Sequence, residues 1–141
     1  MQETDISAEA LYSHIPKVRI DPEGTFKYII INLEDKKTGQ VIEFVRGEQA
    51  LQYHKQIFNK FLREELVPSK FKVREQVLGS QVEASCPGGG RIVHTPAQKK
   101  LFVYGYSMSY GRGDHPKAIE FLKEAFSGYP KENFTWSNEG Y

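Results

Sequence analysis

Residues 26–33 (FKYIIINL) constrain the fold more than any other stretch of this chain. The segment is rich in aromatic and β-branched side chains and is apolar at odd and even positions alike, the pattern of a strand at the centre of a sheet. Residues 35–40 carry turn chemistry, and residues 41–45 supply an antiparallel partner. Lys27 is the anomaly, a charge inside an otherwise apolar strand. Either it snorkels to the sheet edge, or it stands as a cation over a pocket.

The other elements follow from local pattern. Ile15-Pro16 and residues 18–20 predict a short edge strand, ended by the turn Asp21-Pro22-Glu23-Gly24. Residues 48–65 predict a helix, with Ala50, Tyr53, Ile57, Phe58, Phe61 and Leu62 at helical spacing and Leu66-Val67-Pro68 as its stop. Residues 69–86 fit strand or loop equally. Gly88-Gly89-Gly90 leads into a strand at 91–94, and Pro96 with Lys99-Lys100 turns the chain into a strand over 101–106. Asp114-His115-Pro116 opens a second helix, with Asp114 or His115 as cap and Pro116 in the first turn. Its apolar face is Ile119, Leu122, Ala125 and Phe126, and residues 134–136 form a last strand. The expected fold is α+β: a single, mainly antiparallel sheet of about six strands with two packed helices.

A chain of 141 residues with 39% apolar side chains, nine Phe and eight Tyr can bury a core as one domain without metal or disulfide support. The net charge of +1 argues against a nucleic-acid surface. Cys86 is the only cysteine, so no internal disulfide forms and the reducing cytoplasm is the expected location. Cys86 also lacks a following arginine at phosphate-loop spacing, which argues against a cysteine phosphatase. The first fifteen residues lack a signal-peptide core, and no run approaches the ~20 apolar residues of a membrane span. A polar tail is expected over residues 1–14, with the domain over 15–141.

Several residues carry candidate chemistry. His54 falls on the apolar stripe of the first helix, four residues from Ala50 and from Phe58, so its imidazole is either a hydrogen-bonded boundary group or aimed into a site. Arg91 follows three glycines, which allow a bulge or the close approach of a ligand, and its guanidinium offers paired donors to a phosphoryl group. Arg46 ends a strand just before the helix of His54. Residues 103–111 (VYGYSMSYG) run from an aromatic strand into a loop of small polar residues that can turn consecutive N–H groups toward an anion. The role of His94 is open, and His14 and His115 read as terminal and capping residues. The four histidines lack HxH, HxxxH or HExxH pairing, so no metal ligands and no cofactor are expected.

In chain order, Phe26-Lys27-Tyr28, Val45-Arg46-Gly47, Tyr53-His54, Gly88-Gly89-Gly90-Arg91-Ile92, the 103–111 segment and the ending at 135–141 (TWSNEGY) resemble the protein histidine phosphatase family, the small phosphohistidine phosphatases also called Janus proteins. The resemblance spans nearly the whole chain from Ile15. It implies a monomeric, metal-independent phosphatase acting on phosphohistidine, and on phospholysine, in proteins, with no nucleic-acid or membrane partner. It assigns His54 as the catalytic residue, general base or nucleophile. It assigns Lys27, Arg91, Ser107, Met108 and Ser109 to the substrate phosphate, and gives Arg46 a structural part. It also implies an insertion within residues 66–85. The rival reading is a non-catalytic phosphate- or phosphopeptide-binding module with the same anion site.

Overall fold

The sheet grows outward from the long apolar strand. In the computed structural model, which describes residues 12–66 and 82–140, the strands are β1 (Val18–Ile20), β2 (Gly24–Asp35), β3 (Val41–Gly47), β4 (Val82–Thr95), β5 (Lys100–Tyr104) and β6 (Phe134–Trp136). They form one sheet in the order β1-β3-β2-β4-β5-β6. β2 is antiparallel to β3 and β4, and β4 to β5, while the short outer strands β1 and β6 run parallel to β3 and β5. The helices are α1 (His54–Phe61), continued by a π-helical turn over Leu62–Leu66, and α2 (His115–Ala125). The fold is α+β, as expected.

The two-sided apolar pattern of β2 has a direct structural cause, because among the described residues α1 packs on one face of the sheet and α2 on the other. Ile29, Ile31 and Leu33 pack with Phe44, Ile57 and Phe61 beneath α1, and Tyr12 and Ile15 close that core. Tyr28 and Ile30 point the other way and pack with Ile92, Val103, Ile119 and Leu122 beneath α2. Alternation along one strand thus feeds two cores.

Three boundaries differ from expectation. α1 begins at His54, not at residue 48. Residues 48–53 are drawn across the end of the sheet instead: the Gln49 N–H donates to the Asp21 carboxylate at 2.7 Å, and the Gln52 carbonyl accepts from Lys27 Nζ. The helix then starts where Tyr53 and Gln56 exchange two hydrogen bonds, Tyr53 N–H to Gln56 Oε1 and Gln56 N–H to the Tyr53 carbonyl, each 3.0 Å. β4 begins at Val82, so the three glycines lie inside a strand rather than ahead of one. Its register against β2 slips between the pairs Ile30↔Gly88 and Asn32↔Ser85, which places a bulge at Cys86-Pro87, where a residue without an N–H is tolerated. β5 ends at Tyr104 because Gly105, at φ +82, turns the chain out of the sheet. Of the expected polar tail, residues 1–11 lie outside the described residues, as do residues 67–81 of the expected insertion. Among the described residues, no helix is long and apolar enough to cross a membrane.

Candidate active site

The glycine run of β4 is where the backbones crowd. A Cβ on Gly88 would lie 2.5 Å from the Arg112 carbonyl oxygen, one on Gly89 2.3 Å from that of Tyr28, and one on Gly90 2.3 Å from that of Tyr104. These glycines answer a demand for space, since none of them has a positive φ. Gly89 also pairs with the returning loop: its N–H donates to the Gly111 carbonyl at 3.1 Å, and the Gly113 N–H donates to its own carbonyl at 2.8 Å. The excursion between Gly105 and Gly111 is thereby pinned beside the strand that carries Arg91.

His54 sits over this run. Its Cδ2 lies 3.0 Å from where a Gly89 Cβ would be, and its Nε2 is 2.9 Å from the Gly90 carbonyl. A carbonyl only accepts, so Nε2 carries the proton and Nδ1 keeps the lone pair. Nδ1 takes no hydrogen-bond partner among the described residues. Burial pushes the imidazole below its ordinary pKa. Lys27 and Arg91 add to that against the opposing Gly90 hydrogen bond, so the ring is neutral at pH 7.

The two cations come together through sheet register. Lys27 on β2 is directly opposite Arg91 on β4, and both fall on the α1 face, two residues along from the Ile29–Gly89 pair under His54. Lys27 Nζ donates to the Gln52 carbonyl and lies 5.5 Å from the centre of the Tyr53 ring. Beside the pair opens a cavity of about 340 Å³, lined by Lys27, Arg91, Gln52 and Tyr53 among others.

The loop differs from expectation in one respect. Ser107 is buried and its N–H donates to the Gly111 carbonyl at 2.9 Å, with the reciprocal bond at 2.8 Å, while its Oγ accepts from the Tyr110 N–H. Ser107 therefore braces the turn, with Gly111 at φ +89 closing it. The Met108 and Ser109 amides, at the exposed tip, take no partner among the described residues. Tyr110 packs edge-on against Phe58, one turn along α1 from His54, at 5.9 Å. Imidazole lone pair, two cations and free amides are chemistry suited to a tetrahedral anion.

A family model described as the Janus/Ocnus family matches residues 12–130. The chain belongs to the Janus/Ocnus family. It is 35% identical over 141 residues to a pig protein named 14 kDa phosphohistidine phosphatase, covering 96% of this chain and all of the relative. The human protein of that name is 35% identical over 132 residues, covering 90% of this chain and 94% of its own. A Drosophila yakuba protein named sex-regulated protein janus-A is 40% identical over 136 residues, covering 96% and 88%. The ordered segments had pointed to this family.

Four further residues of this Janus/Ocnus chain are clarified by the structure. Arg46 is held by five hydrogen bonds, two to the Glu65 carboxylate at 2.8 and 2.9 Å and three to the carbonyls of Pro16, Lys17 and Val45. It lies against the rings of Phe44 and Phe61 and ties β3 to the π-helical turn that follows α1. His115 is not a cap: Asp114 caps α2, accepting from the Lys117 N–H. The His115 ring is fully buried, its Nε2–H donating to the Gly105 carbonyl at 2.8 Å and its Nδ1 accepting from the Tyr28 hydroxyl at 2.5 Å. Its Cε1 lies 2.9 Å from where a Gly90 Cβ would be, so Gly90 is enclosed by His54 and His115. The one available signal was Tyr28, whose hydroxyl, carried into the core, needs a partner. His94 bridges the Asp21 carbonyl and the Tyr129 hydroxyl and faces the α2 side. Burial pushes the Cys86 thiol up to about 12, which leaves it unreactive.

Proposed function

We propose that this protein hydrolyses phosphohistidine in proteins, with phospholysine as a lesser substrate, as a cytoplasmic monomer. The observation that carries this reading is the His54 ring. Its Nε2–H is fixed on the Gly90 carbonyl, which leaves Nδ1 of the neutral ring without a partner among the described residues, and the ring lies over Gly89, two residues along the sheet from the Lys27–Arg91 pair whose charges it feels. The names of the pig and human relatives support it independently.

Phosphohistidine is a phosphoramidate, so the reaction needs positioning and charge stabilisation more than a strong nucleophile. Arg91, Lys27 and the Met108 and Ser109 amides hold the phosphoryl oxygens while the P–N bond lengthens. That bond's electron pair passes to the leaving imidazole nitrogen, which takes up a proton, and water supplies the new P–O bond. Two steps are open to the Nδ1 lone pair. It takes the proton of an in-line water, or it attacks phosphorus and forms a phospho-His54 that water then cleaves.

Incubation with a phosphohistidine peptide, with and without chelator, tests the reading. Release of inorganic phosphate that survives chelation supports a metal-independent phosphatase. Binding without turnover assigns the non-catalytic phosphopeptide module instead. Intact mass after an alkaline quench, in which a phosphohistidine survives, separates the two steps: a nucleophilic His54 adds one phosphoryl group to the protein, and a general base adds none.

A further inference from the structure

Tyr53 is out of place as a structural residue. Its backbone is locked at the start of α1 by the reciprocal bonds with Gln56, yet its side chain is 62% exposed. Tyr53 lines the 340 Å³ cavity together with the two cations, and Leu51, Gln49 and Gln52 are further walls. An exposed aromatic group is ordinary by itself; what distinguishes Tyr53 is its place in the wall of a cavity beside two cations, where a ligand's polar and apolar parts can be held together. His54 follows it directly in sequence and the Lys27 ammonium lies 5.5 Å from the centre of its ring, so a phosphoryl group held by Lys27 and Arg91 has the exposed Tyr53 ring beside it, whereas Phe26, the cavity's other aromatic residue, is buried.

We infer that Tyr53 and this cavity form the leaving-group subsite, in which the Tyr53 ring stacks on the imidazole of the phosphohistidine and so selects an aromatic N-phosphoryl group over an aliphatic one. This rests on the phosphatase reading above. The cations and amides that hold the phosphoryl group do not reach beyond the nitrogen, so selection by the protein, over and above the differing basicity of the leaving amines, comes from contacts on the leaving side. A planar imidazole meets an aromatic face and two amide groups that can bond its free ring nitrogen, whereas the lysine stem of phospholysine meets the same surface without a ring to stack.

The test compares wild type, Tyr53→Phe and Tyr53→Leu on a phosphohistidine peptide, a phospholysine peptide and inorganic phosphoramidate, whose leaving group is ammonia. The readout is the ratio of kcat/KM values, in which any effect of Tyr53 on Lys27 cancels. An aromatic pair worth about 0.5–1.5 kcal/mol predicts that Tyr53→Leu lowers the phosphohistidine-to-phosphoramidate ratio roughly 3- to 10-fold. Tyr53→Phe should hold that ratio within about 2-fold, since the ring remains. An unchanged ratio in Tyr53→Leu overturns the inference while leaving the phosphatase reading intact. Absence of turnover by wild type overturns the phosphatase reading, and the subsite is then decided by NMR. Upfield shifts of the Tyr53 ring protons on adding an unphosphorylated histidine peptide with phosphate, and not a lysine peptide, support stacking; no difference between the two rejects it.

Discussion

Gly89→Ala should damage the site without unfolding the protein. The new Cβ would be 2.3 Å from the Tyr28 carbonyl oxygen and 3.0 Å from His54 Cδ2, where ordinary contact begins at 3.4 Å. The first clash is with backbone on the central strand, so at least about 1 Å must open between β2 and β4, and overpacking of this kind costs roughly 1–3 kcal/mol. A domain of this size has about 5–15 kcal/mol to lose, so it stays folded at 25 °C with a Tm lower by something like 5–10 °C. Activity is more sensitive. The same shift moves His54 away from Lys27 and Arg91, and a 1 Å misplacement is worth about 10² in rate. The assay is kcat/KM on a phosphohistidine peptide alongside a thermal melt followed by circular dichroism. A variant with wild-type Tm and wild-type turnover would refute the claim that the glycine run exists to let His54, β2 and the returning loop approach β4.

Other outcomes follow from the same geometry. Arg46→Met removes the bidentate partner of the mostly buried Glu65 carboxylate, which keeps the exposed Arg19 guanidinium at 3.8 Å, and should cost roughly 1–3 kcal/mol in urea unfolding. Arg91→Lys should lower kcat/KM nearly as far as Arg91→Ala, since an ammonium cannot pair two phosphoryl oxygens, while Lys27→Arg should keep more activity than Lys27→Met. His54 and His115 both have pKa values held below the ordinary 6.5, chiefly by burial. Below pH 6.5 the unfolded chain therefore binds protons that the folded one refuses. Stability is full above that pH and declines as pH falls through the folded values, a trend that His115→Gln should flatten in pH-dependent melts.

Much of the architecture was legible because it is local. The two-sided apolar run of β2 announced a central strand, and Asp114 with Pro116 marked the start of α2. The start of α1 was not legible: Ala50 keeps helical spacing, but Asp21 and Lys27, far back in sequence, hold Gln49 and Gln52 out of the helix. The first half of β4 reads as polar and carries Pro87, and only the bulge against β2 makes it a strand. Within the site, His54, Arg91 and Lys27 were visible as charged or polar groups in apolar or glycine-rich settings. Their adjacency was not, since it depends on the register between β2 and β4. His115 was hidden by its position in a capping pattern, and its partner Tyr28 lies 87 residues away.

The central claim is that the Nδ1 lone pair of His54 performs the chemistry. The most direct test is single-turnover hydrolysis of a phosphohistidine peptide by wild type and His54→Ala, after circular dichroism shows that both are folded. Loss of the imidazole should reduce the rate by roughly 10²–10⁴ if it is a general base, and by more, up to about 10⁶, if it is the nucleophile. A folded His54→Ala protein that releases phosphate at close to the wild-type rate would contradict the account.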